Sequence, residues 1–406
     1  MPGNLRPPDM VIVVAMLALV GVGLVANYST SFTVGGELRP DYFSRQLTWA
    51  VIGLGGFVVA SILPTRFVQA LAYVVYGFGL LLLLAVLAVG TAEHGSVRWL
   101  VAGSLRVQPS EVMKAALVVG LARFLADHPK DLASPRMIAV ALLMALAPMG
   151  LVVAEPDLGT SLIFPAVVFC MLAWAGVPAS HLLLLLMPLI AVITSWHLQL
   201  HLGVLALLLV LLWRLRLRLL PMIAGAGVYL IAGGITPRLW MRLHDYQRQR
   251  ILTFLNPEAD PLGSAYQIIQ SKIAIGSGGV MGKGFLKGTQ TQLKFLPEQH
   301  TDFIFSAWGE EFGFVGTLLV VLLFSLIIFR GFQFASRAHN PFNSLLAAGV
   351  CSTLAFQVLL NLFVATGWLP VTGLPLPFIS YGGSSLFVYM TMMGLLLGVT
   401  MRWRQH

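Results

Sequence analysis

Residues Met10 to Asn27 read MVIVVAMLALVGVGLVAN, eighteen residues with no charge and no proline. At about 1.5 Å per residue an α-helix of this length reaches about 27 Å, close to the roughly 30 Å of hydrocarbon in a bilayer. The run shows no alternation of polar and apolar residues, so it does not read as a strand of a membrane barrel, the other structure that can span lipid. It is also too long for the core of a cleaved secretory signal, which makes it the first of a series of spans.

The rest of the chain repeats the pattern. Further apolar runs lie at about 46–62, 67–90, 109–126, 136–154, 160–176, 180–196, 201–213, 219–236, 313–332, 344–365 and 384–401. The run at 201–213 is short for a crossing. The expected fold is an all-α polytopic membrane protein of about twelve transmembrane helices, a single membrane domain over 1–406. Composition agrees: 58% of the residues are hydrophobic and 10% charged, with mean hydropathy +0.86. Soluble domains carry about 25% charged residues, so lipid must be the main solvent here.

The net charge of +9 does not point to nucleic acid, because most cations sit in short connections between apolar runs. With the N-terminus inside, the inside segments hold Arg6, Arg66, Arg123, Lys130, Arg136, Arg214, Arg216, Arg218, Arg330, Arg337, Arg402 and Arg404. The short outside loops hold Arg39, Arg45, Arg98 and Arg106. Twelve against four places both termini inside. The Arg214–Arg218 cluster falls inside only if 180–196 and 201–213 form a complete hairpin, which supports the short run as a span. Membrane lipids and an anionic ligand are the expected partners. Cys170 and Cys351 lie within apolar runs and read as packing residues, with neither a disulfide framework nor a metal site.

Residues 237–312 form an outside loop too long for a connector, rich in aromatic, glycine and apolar residues, and so read as functional. It contains Asp245-Tyr-Gln-Arg-Gln-Arg250, Asn256-Pro-Glu-Ala-Asp-Pro-Leu-Gly263, Tyr266 to Lys272 and Gly276-Ser-Gly-Gly279. The glycines permit tight turns or a close approach to a ligand, without the spacing of a phosphate-binding loop. The loop ends at Leu296-Pro-Glu-Gln-His-Thr-Asp302-Phe-Ile-Phe305. Asp302 stands where the chain re-enters apolar sequence. Desolvation there would raise its pKa toward that of a general base, while aspartate at a helix start also suits an N-cap. Residue chemistry supports both.

Ionisable groups at membrane depth mark function by default. In Gln108-Pro-Ser-Glu111-Val-Met-Lys114 the two charges are three apart on one helical face and can pair. They either line the outer cavity or fix helix register. Arg45, Arg98 and Arg106 join Lys114 at one level, an arrangement suited to phosphate oxygens, although a single arginine there can equally snorkel to headgroups. Trp368 to Ser385 carries three prolines and cannot be a plain helix. It reads as an ordered re-entrant segment beneath the active face.

These motifs together resemble the SEDS family, the shape, elongation, division and sporulation proteins, and stand nearer its rod-shape branch than its division branch. The resemblance rests on Gly95 to Leu100, Gln108 to Lys114, Glu155-Pro-Asp-Leu-Gly-Thr160, Tyr246 to Arg250, Tyr266 to Gly316 and Pro375 to Gly383. It implies a peptidoglycan glycosyltransferase of the bacterial cytoplasmic (inner) membrane, acting during cell elongation on lipid II as donor and acceptor. By the same resemblance Asp302 matches the family's essential aspartate, and Glu111 and Lys114 its fourth-span pair. Arg45, Arg98 and Arg106 match its outer basic positions, and the loop cations Arg248, Arg250 and Lys272 join them as substrate-binding residues.

The implied reaction inverts the anomeric carbon. Asp302 takes the acceptor hydroxyl's proton and undecaprenyl diphosphate leaves, with or without a divalent cation such as Mg or Mn. The implied partners are a class B penicillin-binding protein, which supplies transpeptidation, and other proteins of the elongation machinery. A lipid II flippase is the alternative. One departure stands out: the family has ten spans, and here 180–217 reads as an inserted hairpin without a catalytic role.

Overall fold

The structure is a computed structural model that describes residues 7–31, 40–93, 96–102, 105–243, 245–256, 263 and 265–402. Arg6, Arg39, Arg404 and most of the Asn256–Gly263 motif lie outside the described residues. The elements in chain order are α1 (Met10–Thr30), α2 (Pro40–Ile62), α3 (Thr65–Val89), β1 (Thr91–Glu93), β2 (Ser96–Ala102), β3 (Leu105–Val107), α4 (Pro109–Asp127), α5 (Pro135–Ala154), α6 (Leu158–Ser161) and α7 (Ile163–Ala175). They continue with α8 (Ala179–Thr194), α9 (Leu198–Arg214), α10 (Leu219–Arg242), α11 (Asp245–Leu255), α12 (Tyr266–Ser277), α13 (Thr289–Gln292), α14 (Ile304–Arg337), α15 (Pro341–Ala365) and α16 (Gly383–Arg402).

Among the described residues nine helices are long and apolar enough to cross a membrane. Each expected span coincides with a helix. Helix α4 falls outside the nine despite its 19 residues, because Glu111, Lys114, Arg123 and Asp127 interrupt its apolar surface. Helices α8 and α9 have 16 and 17 residues, short of the roughly 20 that span a bilayer.

Helices α15 and α16 are buried along 78% of their apolar stretch, α3 and α10 along 22%, so the first pair forms the centre and the second the rim. The main apolar cluster joins α1, α4, α5, α7, α14, α15 and α16. A second cluster, made of Met187, Ala191, Leu205, Leu208, Leu212 and Tyr229, belongs to α8–α10 alone. Large apolar side chains such as Leu81, Leu143, Leu220 and Phe329 point outward from the bundle, as lipid contact requires.

Two stretches differ from the sequence expectation. Residues 91–107 form a three-stranded antiparallel sheet, β1-β2-β3, in place of a plain loop. The 237–312 loop is largely helical, since α10 runs through Arg242 and α11, α12 and α13 follow.

The glycine-rich run at 276–284 packs against the protein's own backbone. Helix α14 breaks at Gly313, whose φ is 65°, and residues 279–284 fill the break. The N–H groups of Lys283 and Gly284 donate to the carbonyls of Glu310 (3.0 Å) and Glu311 (2.9 Å), while Phe314 and Val315 donate back to Gly279 (2.9 Å) and Val280 (3.1 Å). A positive φ at a backbone contact this close admits only glycine at 313. Just before the break, the Glu310 carboxylate accepts from Lys283 Nζ (2.7 Å), Gln290 N (2.9 Å) and Thr291 N (3.1 Å). It ties the loop to the helix that starts beside Asp302.

Candidate active site

The Trp368–Ser385 stretch is non-helical up to Gly383 and buried in protein, with Leu374, Leu376, Phe378 and Ile379 enclosed. Its backbone polar groups are satisfied by side chains from the surrounding helices, as membrane depth demands. Asn27 Nδ2 donates to Ile379 O (2.8 Å) and Gln46 Nε2 to Ser380 O (3.1 Å). From α15, Gln357 donates to Pro375 O (2.8 Å) and Asn361 to Leu374 O (2.8 Å). Asn361 also donates to the backbone carbonyl of Asp302 at 2.9 Å. One amide thus fastens Asp302 to the re-entrant segment.

Asp302 does not cap α14. Phe303 holds the N-cap position, with no side-chain cap bond. Among the described residues the Asp302 carboxylate accepts no hydrogen bond, and Oδ2 stands beside Gly373 on the re-entrant segment. Burial, and then the Glu298 carboxylate, push its pKa up to about 7; Arg250 and Arg98 oppose this and Asp157 adds to it. A carboxyl that titrates near neutrality with its oxygens unengaged suits a general base.

Among the described residues the cations that act on Asp302 are Arg98 and Arg250. Arg98, on β2, donates through Nε to Glu155 O (3.4 Å) and through Nη2 to Pro156 O, and lies 3.9 Å from Asp157 Oδ2. Arg250, at the exposed face of α11, donates to Val371 O at 3.3 Å. Two acids join the site without having been singled out for it. Asp157 caps α6 through Thr160 N (3.2 Å) and receives Gln108 Nε2 at 3.5 Å. Glu155 is buried, and among the described residues neither of its carboxylate oxygens is hydrogen-bonded. Burial and the neighbouring Asp157 push its pKa up to about 8.

Glu111 and Lys114 form the expected pair at 2.8 Å, but not as a wall of an open cavity. They are 1% and 2% exposed. Lys114 Nζ spends its remaining donors on Gln357 Oε1 (2.6 Å) and Tyr389 OH (3.5 Å). Gln357 and Asn361 are four apart on α15, so the pair lies about one helical turn, or roughly 5.4 Å, from the amide that holds Asp302. Its place is to lock α4 to α15 and α16 under the re-entrant segment. Of the four cations expected at one level, Lys114 is bonded to Gln357, and Arg45 and Arg106 are exposed on α2 and β3. Arg248 donates to Leu243 O (3.2 Å), and exposed Lys272 lays its stem across Gly367. Among the described residues no group of three His, Cys, Asp or Glu side chains is arranged to hold a metal ion.

Comparison with known proteins now identifies the architecture. The chain matches the model of the FtsW, RodA and SpoVE cell cycle proteins over residues 9–202 and 198–405. It is 39% identical to the peptidoglycan glycosyltransferase MrdB of Escherichia coli K12, covering 96% of this chain and 93% of that one. It is 34% identical to the peptidoglycan glycosyltransferase RodA of Treponema pallidum, over 97% of this chain and 98% of that one. Among solved structures it superposes on a chain of a peptidoglycan synthase complex that coordinates polymerization and crosslinking. That match has a TM-score of 0.74 and 32% identity, covering 98% of this chain and 99% of the other. It superposes also on the rod shape determining protein RodA of Thermus thermophilus, with a TM-score of 0.65 and 29% identity, covering 98% of each chain.

The fold and these relatives define a multi-pass membrane enzyme of peptidoglycan polymerisation, a glycosyltransferase. The chain belongs to the SEDS family, that of FtsW, RodA and SpoVE.

Proposed function

We propose that this glycosyltransferase polymerises lipid II with Asp302 as its base. The carboxylate accepts the proton of the acceptor sugar's 4-hydroxyl. That oxygen bonds to the donor's anomeric carbon, and the bond from that carbon to the diphosphate breaks. Undecaprenyl diphosphate leaves with the electron pair, and one displacement turns an α-linked donor into a β-1,4 linkage. The observation that carries this reading is the Asp302 carboxylate itself, raised to about 7 and hydrogen-bonded to nothing among the described residues. Arg98 and Arg250, which act on that carboxylate, are placed to stabilise the charge building on the diphosphate. A divalent cation bound with the diphosphate is compatible with this chemistry.

The site faces the outside, by the bias of cations toward the other ends of the helices. Twelve crossings, the ten-helix core with 180–217 as an added hairpin, are consistent with the helices present. A class B penicillin-binding protein is the partner, by analogy with the related chain that works within a synthase complex.

Incubating the purified protein with lipid II in detergent tests this reading. Glycan strands formed without a membrane support polymerisation. Their absence, together with lipid II translocation in vesicles, would turn the assignment toward transport.

A further inference from the structure

The chemistry above leaves three aromatic side chains unused beside Asp302. Tyr42 comes from α2, His300 from the loop before α14, and Tyr381 from the end of the re-entrant segment. The Tyr42 ring lies 4.6 Å from His300 and meets Tyr381 edge-on at 5.1 Å; His300 and Tyr381 are 6.4 Å apart.

Their backbones are pinned together. Tyr381 N donates to His300 O at 2.7 Å, and Ser380 Oγ donates to Thr301 O. Gln46, one turn from Tyr42 on α2, accepts from Gly382 N at 3.3 Å. The rings therefore stand on the same wall as Asp302, one residue beyond Thr301. The Glu298 carboxylate acts on His300 and Asp302 alike.

Two observations set this trio apart from ordinary packing. The rings are half-buried, whereas the neighbouring Phe303 and Phe378 are fully enclosed. Their polar tips are also free. Among the described residues neither tyrosine hydroxyl and neither imidazole nitrogen makes a hydrogen bond, and none is buried away from solvent without a partner. Tyrosine in a core finds a partner for its hydroxyl. Here three adjoining rings stay partly exposed, with donors and acceptors that no protein group uses among the described residues. Burial lowers the His300 pKa, which keeps its imidazole neutral and able to accept as well as donate. Arg45 lies three residues from Tyr42, on the same helical face, and is exposed. It makes the approach cationic.

A pyranose matches this surface, with C–H faces that stack on aromatic rings and a rim of hydroxyls and amides. We propose that Tyr42, His300 and Tyr381 form a sugar subsite that seats the acceptor glycan with its 4-hydroxyl toward Asp302. The proposal rests on the polymerase reading and deepens it. The alternative is a purely structural clasp of α2 on the re-entrant segment.

The test uses the full-length protein in detergent. The probe is a soluble β-1,4 tetrasaccharide of N-acetylglucosamine and N-acetylmuramic acid, which offers sugar rings and a 4-hydroxyl but no diphosphate. It should inhibit lipid II polymerisation by the wild type competitively. Tyr42→Leu should raise both its inhibition constant and the KM for lipid II about tenfold, roughly 1.4 kcal/mol. The same variant should hold kcat within about twofold and leave the melting temperature unchanged. Tyr42→Phe, which keeps the ring, should stay within about threefold of wild type. Tyr381→Leu should repeat the result, and if it does not fold, Tyr42→Leu decides alone. A tetrasaccharide that fails to inhibit the wild type contradicts the subsite. So does an unchanged inhibition constant in Tyr42→Leu, or a fall in kcat and melting temperature with KM intact. These constants do not depend on which residue is the base. Failure of the Asp302 assignment would instead show as activity surviving Asp302→Asn.

Discussion

Two of the polar clusters among the described residues, one in the α8–α10 group and one around α15, are built differently. In the α8–α10 group, Thr194 Oγ1 meets His201 Nδ1 at 3.0 Å and Tyr229 OH at 2.8 Å, and Tyr229 donates to His201 O at 3.1 Å. Around α15, by contrast, Lys114 bonds Gln357 across 243 positions of sequence, and Gln357 and Asn361 bond the re-entrant backbone. That network reaches the backbone carbonyl of Asp302, whose carboxylate accepts no hydrogen bond among the described residues. Both clusters satisfy polar groups that lipid cannot. Of the two, the second adjoins the proposed base. A polar group at membrane depth is therefore a marker of chemistry where it is held in place and left unsatisfied. Where it is saturated, it is glue. Within the second cluster, Lys114 is engaged by Glu111, Gln357 and Tyr389, whereas the Asp302 carboxylate is unengaged among the described residues.

The largest effect that tests this distinction is stability at the buried Glu111–Lys114 pair. Lys114→Met strands a buried carboxylate and should cost about 3–5 kcal/mol, read as a large drop in thermal unfolding temperature in detergent. Glu111→Gln/Lys114→Met should recover most of that loss and retain polymerisation. A double variant that is stable but inactive would show that the pair takes part in the chemistry.

Next in size is Arg98→Ala, which should lower kcat about 100-fold by removing a cation near the developing diphosphate charge. Arg106→Ala, on the exposed face of β3, should leave kcat nearly unchanged.

The pH dependence follows. A base with a pKa of about 7 must be ionised to work, so kcat/KM should fall about tenfold per pH unit below 7 and level off above it. Stability runs the other way. The folded-state pKa lies above the ordinary carboxyl value of 3.8, so the folded form binds the proton more tightly. The contribution of Asp302 to stability is then fully present below about pH 4 and is lost as pH rises to about 7. Unfolding curves of Asp302→Asn across that range should lack this decline.

The smallest effect belongs to the α8–α10 cluster. Thr194→Val should cost about 1 kcal/mol or less and leave polymerisation intact. A strong loss of activity there would end the view of that cluster as glue.

Much of this was legible in the sequence, because its signals are local. Apolar runs located the helices, and three-residue spacing paired Glu111 with Lys114. The return to apolar sequence marked Asp302 as a desolvated carboxylate. The chain does not announce which distant groups will meet. Arg98 and Asp302 are some two hundred positions apart, and only the fold shows that they share a site while Lys114 is enclosed elsewhere. The sheet at 91–107 is carried by strands of three and seven residues, too short for periodicity to separate from a loop. Glu155 and Asp157 sit between two spans, where charge is ordinary; the rule that flagged Glu111 would have reached them had the break at Pro156 been read as buried. The glycines at 276–279 permit tight turns or a close approach to a ligand, and glycine does not say to what it comes close.

The account depends most on Asp302 as the base, and Asp302→Asn tests it most directly. In purified protein given lipid II, the variant should polymerise at least about 100-fold more slowly. At pH 8 its melting temperature should equal or exceed that of the wild type. A folded Asp302→Asn protein that makes glycan strands at the wild-type rate would contradict the account.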